Sequence, residues 1–203
     1  MGQEWADFTL EANATQTLGI IAGLRKDFDA SLRYFGLCLV LAQQTGNRYQ
    51  EAVVESNIGA TKQYAMDFRG AIVHYLASLE AGEEMGMLDR MAINAHNLAD
   101  VYVNLGELAE SHRYALLAIR LARQVGAIPV VLATLVPLAD VMVGRGDIDR
   151  ALALLGLAQH HPSTPKQKQI GIDDVLQSIT MARVEMEDKL AAGAKLDFET
   201  VVQ

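Results

Sequence analysis

The chain has 203 residues, 51% hydrophobic and 21% charged, with a formal net charge of −8; this balance is ordinary for a soluble globular protein and excludes a wholly disordered chain. The 17 Lys and Arg residues are scattered, which argues against a surface that wraps a phosphate backbone, since such a surface needs clustered cations. Cys38 is the single cysteine; with no disulfide partner and no metal-ligand spacing around it, a reducing, cytoplasmic setting is expected.

Met1 to Leu10 carries Glu4 and Asp7 where a cleavable signal would carry basic residues and an apolar run. Trp5 and Phe8 share one helix face and are expected to cover the edge of the first repeat. From there the chain repeats. Leu18-Gly19, Ile58-Gly59, Leu98-Ala99 and Leu138-Ala139 recur every 40 residues, a large apolar residue followed by a very small one, on the first of two amphipathic helices. The second helices carry small residues at Ser31, Ala71, Ser111 and Ala151 and again at Cys38, Ser78, Ala118 and Ala158. Phe35, Tyr75, Ala115 and Leu155 stand between them. Large residues facing small ones are what close helix packing requires.

The turns repeat as well. Asp27, Asp67, Glu107 and Asp147 open the second helices and are read as caps. Gly46, Gly86 and Gly126 close them as left-handed C-terminal residues, with Gly106 and Gly146 at two turns inside repeats. The expected layout is a single domain over 1–203: a cap over 1–17, repeats at 18–57, 58–97, 98–137 and 138–165, and capping helices over 166–203. The fourth repeat is cut short at His160-His161-Pro162-Ser163-Thr164-Pro165 because prolines end helices. Residues 166–191 read as one long helix, with Ile170, Val175, Leu176, Ile179, Val184 and Leu190 apolar. Leu196, Phe198, Val201 and Val202 are expected to tuck back as a short helix with Asp197 near its start.

This spacing of Leu-Gly, small, aromatic and small residues resembles the tetratricopeptide repeat in a lengthened form, over residues 12 to 160. The resemblance implies an all-α, right-handed α-solenoid of about four helical hairpins with a C-terminal capping helix. The segment from Arg150 to Thr164, with the later Gly193-Ala194-Lys195-Leu196-Asp197-Phe198, also looks like the tetratricopeptide end of large bacterial signalling NTPases and transcriptional regulators. On that likeness the chain is their sensor or scaffold portion or a free-standing relative. It holds no Gly-x-x-x-x-Gly-Lys-Ser/Thr loop of its own.

The sequence carries no recognisable catalytic or metal-binding motif. The five histidines form no His-Glu-x-x-His motif, and His160-His161 are neighbours that point apart on regular structure. No nucleophile elbow or phosphate cradle is present. The expectation is a non-enzyme with no metal and no cofactor.

In tetratricopeptide proteins the first helices line the inner groove. By that resemblance the partner-binding positions are Gln16, Ser56, Asn57, Gln63, Tyr64, His96, Asn97, Asp100, Asn104 and Asp140. Asn57 and Asn97 occupy equivalent places, where an amide can bond a peptide backbone or its own solenoid; both readings stand. Asp100 and Asp140 point to a protein or peptide partner of neutral to basic character, with no nucleic acid and no membrane. A competing reading is a regulatory domain that senses a small molecule or signal peptide. Pro137 takes the asparagine's place in the fourth first helix and is expected to kink it. The apolar Val130, Val131, Leu135 and Val136 beside it are core by default, with a homo-oligomer surface as the alternative.

Overall fold

The structure, a computed structural model, describes residues 2–164, 169–179, 183–196 and 198; the side chains of residues 2–9, 169–170 and 183–184 lie outside that description. The cap assigned to Trp5 and Phe8, and the roles given to Ile170, Val184, Asp197, Val201 and Val202, therefore fall outside the described residues. The described residues form ten helices and no strand. They run as α1 (Gly2–Leu24), α2 (Phe28–Gln44), α3 (Arg48–Tyr64), α4 (Phe68–Met85), α5 (Leu88–Asn104), α6 (Leu108–Gln124), α7 (Ile128–Gly144), α8 (Ile148–His160), α9 (Gln169–Ser178) and α10 (Arg183–Gly193). Among them, no helix is long and apolar enough to cross a membrane.

One turn design joins α1 through α8. Lys26, Gly46, Met66, Gly86, Gly106, Gly126 and Gly146 all have positive φ, between 61° and 79°, at intervals of 20 residues. At each turn the following amide reaches back to a carbonyl five residues earlier, as in Asp27 N to Ala22 O at 3.0 Å and Ala127 N to Ala122 O at 2.8 Å. This is the bond pattern that satisfies a helix's last carbonyls. The next helix is then capped: Asp27, Asn47, Asp67 and Asp147 accept from the amide three residues on. Glu107 stands at the same place on α6 without a side-chain cap bond; its longer side chain does not match the short reach that makes Asp, Asn, Ser and Thr the preferred caps.

The chain divides into two compact units, Met1–Asn94 and Ala95–Gln203. In the first, α1 packs on α2, α2 on α3 and α3 on α4, around Ala12, Phe35, Cys38, Val54 and Ile58. A Cβ on Gly19 would lie 2.7 Å from the Phe35 ring and one on Gly59 would lie 2.8 Å from the Tyr75 ring, so each glycine is the notch that seats an aromatic. Small hydroxyls and the thiol tie second helices to first-helix carbonyls: Ser31 donates to Gly19 O, Cys38 to Ala12 O and Ser78 to Ala52 O. Leu18, on the first helix, is exposed, unlike its counterparts Ile58, Leu98 and Leu138.

In the second unit, α6 packs on α7, α7 on α8, α10 on α8, and α9 on α7 and α8. Ser111 repeats the bond of Ser31 by donating to Ala99 O at 2.9 Å, and Tyr102 stacks on Tyr114 with centroids 5.5 Å apart. One expectation is corrected here. Residues 166–191 are not one helix: α9 ends at Ser178 and Ile179 lies outside any helix. Val131, Leu135 and Val136 are buried in α7, in line with the core reading, and Val130 is half-buried. The apolar sequence of α7 reflects burial against α6, α8 and α9, and Pro137 sits within that helix, itself buried.

Candidate functional site

The ten positions read as a groove separate into two groups. In the first unit, Gln16 bonds Gln50 across α1 and α3, and Gln63 accepts from the Tyr75 hydroxyl at 2.7 Å. Ser56 is buried and donates to Asn94 Oδ1 at 2.7 Å. Asn94 Nδ2 donates in turn to Ser78 Oγ at 2.7 Å, and Ser78 to Ala52 O at 2.6 Å. These four residues form a closed polar chain, which the interior requires because an unpaired buried amide costs about 1–3 kcal/mol. In the second unit the same register recurs: His96, buried, shares a 3.2 Å hydrogen bond with Thr134, 40 residues on from the Ser56–Asn94 pair. Gln16, Ser56, Gln63 and His96 thus direct their polar atoms into the scaffold. Asn94, fully buried, was not singled out from the sequence, because its partners Ser56 and Ser78 lie far along the chain.

The remaining positions reach solvent. Tyr64 is 76% exposed. Asn57 and Asn97 are partly buried, and among the described residues neither side-chain amide bonds the solenoid backbone. Asn104 is exposed and donates to Asp100 O at 2.8 Å.

Within the second unit, Asp100 and Asn104 of α5 meet Pro137 and Asp140 of α7 in a pocket of about 200 Å³ that Gly171, Asp174 and Ser178 of α9 also line. Helix α9 reaches this place because Ile172 and Val175 are buried, and because Gly171 lets its backbone approach: a Cβ there would lie 3.3 Å from Val136 Cγ1. Burial first, and the Asp100 charge second, hold the Asp140 carboxyl above the usual aspartate range. Asp100 and Asp140 were expected together from the repeat register; Asp174 and Ser178 were not, because α9 lies outside the 40-residue frame. Among the described residues, no group of three or more His, Cys, Asp or Glu side chains is arranged to hold a metal ion.

Most of the histidines also have structural partners. His74 Nδ1 lies 2.6 Å from Glu55, and His160 Nδ1 2.9 Å from Gly156 O. His161 accepts from the Ser163 amide.

The architecture defines an all-helical, repeat-like protein of consecutive hairpins. Among solved structures the chain is similar to BtubC (BKLC) from P. vanneervenii, with a TM-score of 0.56 at 14% identity over 98% of this chain and 89% of that one. At that identity the likeness speaks for the fold. No protein-family model matches the chain, and no curated protein matches it.

Proposed function

We propose that this protein is a non-enzymatic interaction module, a right-handed solenoid of four tetratricopeptide-like hairpins. Its first-helix face takes an extended segment of a protein partner, in the cytoplasm and within a bacterial signalling or regulatory system. The observation that carries the reading is the meeting of Asp100, Asp140 and Asp174 with Asn104 in one pocket. A carboxylate held partly out of water beside a second one is stabilised by an incoming cation, so the segment carries a Lys or Arg at this point. The amides of Asn57 and Asn97 suit backbone contacts that tolerate sequence variation. The pocket volume of about 200 Å³ lies below the roughly 300–1,000 Å³ of sites that enclose small molecules, and this favours a peptide side chain over a free metabolite.

The test is selection of a displayed random-peptide library on the intact chain, followed by isothermal titration of the enriched peptides. Peptides with a basic residue should emerge. Asp100→Asn with Asp140→Asn should weaken them by about tenfold or more, since hydrogen bonds to charged groups contribute about 1.5–3 kcal/mol. Unchanged affinity would remove the reading.

A further inference from the structure

The second unit carries a larger groove on its second-helix side. Its volume is about 1680 Å³, and residues of α6, α7 and α8, together with Phe198, line it. On α6, Arg113, Leu116, Leu117 and Arg120 fall three and four residues apart and therefore share one face. Arg123 follows on the same side, and Arg145 and Arg150 come from the turn before α8 and its first residues. Five guanidiniums line this groove against one carboxylate, Asp147, and that carboxylate already accepts from the Arg150 amide as the cap of α8. Arg113 is held by Glu110 at 2.6 Å and lies 4.3 Å over the Tyr114 ring. Among the described residues, Arg120, Arg145 and Arg150 have no ion pair. Their field is felt locally: burial first, then the charges of Arg145 and Arg150, depress the pKa of His112 in the same groove.

Between the arginines the surface is apolar. Leu116 is 50% and Ile128 38% exposed, and Leu117 is partly so. We propose that this groove docks an acidic amphipathic helix of a partner protein, its carboxylates meeting Arg120, Arg145 and Arg150 and its apolar face meeting Leu116, Leu117 and Ile128. Charge complementarity selects an anionic partner, and guanidiniums pair carboxylates in a fixed two-bond geometry. The apolar surface between the arginines then chooses among anions. A nucleic-acid backbone would satisfy the arginines but set phosphate and sugar against leucine. A helix about 10 Å wide fills this volume over roughly 20 Å, about four turns. The site is separate from the acidic pocket and opposite in charge, so it stands or falls apart from the function proposed above.

The test is fluorescence anisotropy with a labelled helical peptide of about 14 residues, Glu on one face and Leu on the other. It is run on the intact chain beside a Gln-for-Glu version, a single-stranded oligonucleotide of equal charge and phosphatidylserine vesicles. The acidic peptide should bind, more weakly as salt rises. Affinity should fall by about tenfold or more in R120E/R145E/R150E, fall again in Leu116→Ser, and stay unchanged in D100N/D140N. The altered arginines are exposed, so circular dichroism should be unaltered. The proposal is overturned if the acidic peptide does not bind, if the arginine variant binds it equally, if the Gln version binds as well, or if the oligonucleotide or vesicles bind more tightly.

Discussion

Asp140 shows how one residue can be read both as a binding group and as a stability cost. Its carboxyl is pushed up by burial and by Asp100, so the folded chain holds this proton more tightly than the unfolded chain does. The contribution is fully present below the unfolded value of about 3.9 and is lost as pH rises through the folded one. At neutral pH the charged form therefore works against folding. Asp140→Asn should melt higher than the natural chain at pH 7, and the gap should close as pH falls below the ordinary aspartate range. Thermal denaturation followed by circular dichroism at several pH values checks this; a gap that widens in acid would contradict it. Lys26 and Met66 are a second lesson at this scale. They take the left-handed conformation that glycine takes at the five other turns, and nothing in their residue types announces it. The 20-residue interval was the available signal.

Among the elements, the fit between first and second helices is set by one pair of positions per hairpin. Gly19 faces Phe35 and Gly59 faces Tyr75, while the third hairpin carries Ala99 and Ala115 at those positions, both fully buried. A side chain added on one helix must be given up on the other. Gly59→Ala should destabilise the chain by about 1–3 kcal/mol through overpacking, and Tyr75→Ala by about 3–5 kcal/mol through the space it leaves. The double variant, which copies the third hairpin, should cost less than the two single changes together. A urea-denaturation double-mutant cycle measures this coupling, and strict additivity would refute it. The sequence periodicity made these pairs legible because every hairpin repeats them. It left the break after α9 illegible, since Ser178 and Ile179 bring neither proline nor glycine and the apolar spacing runs on through them.

At the scale of the molecule, burial is uneven within each unit. Helix α7 is buried along most of its length, from Val131 to Met142, and α6, α8 and α9 pack on it. Most of the described side chains of α10 reach solvent. Local opening follows this difference, because amides under many buried contacts exchange only when much of the unit opens. Hydrogen exchange should leave the amides of α7 protected longest in the second unit and release those of α10 early; the reverse order would show that α7 is not the centre of this core.

The amino-acid sequence by itself determined the helices, their 40-residue recurrence, the acidic caps at Asp27, Asp67 and Asp147 and the glycine stops. Each depends on residues within one or two turns of one another, and local spacing records such contacts directly. It also put Asp100 and Asp140 in one register. Tertiary structure alone decided which polar residues face inward. Ser56 and His96 stand beside Asn57 and Asn97 in the chain, yet the first pair is consumed by Asn94 and Thr134 from the next first helix. It alone placed Asp174 against Asp140 and drew arginines from α6, the turn between α7 and α8, and α8 into one groove. The reason is distance along the chain: charges that look scattered in sequence become neighbours only when successive helices pack side by side.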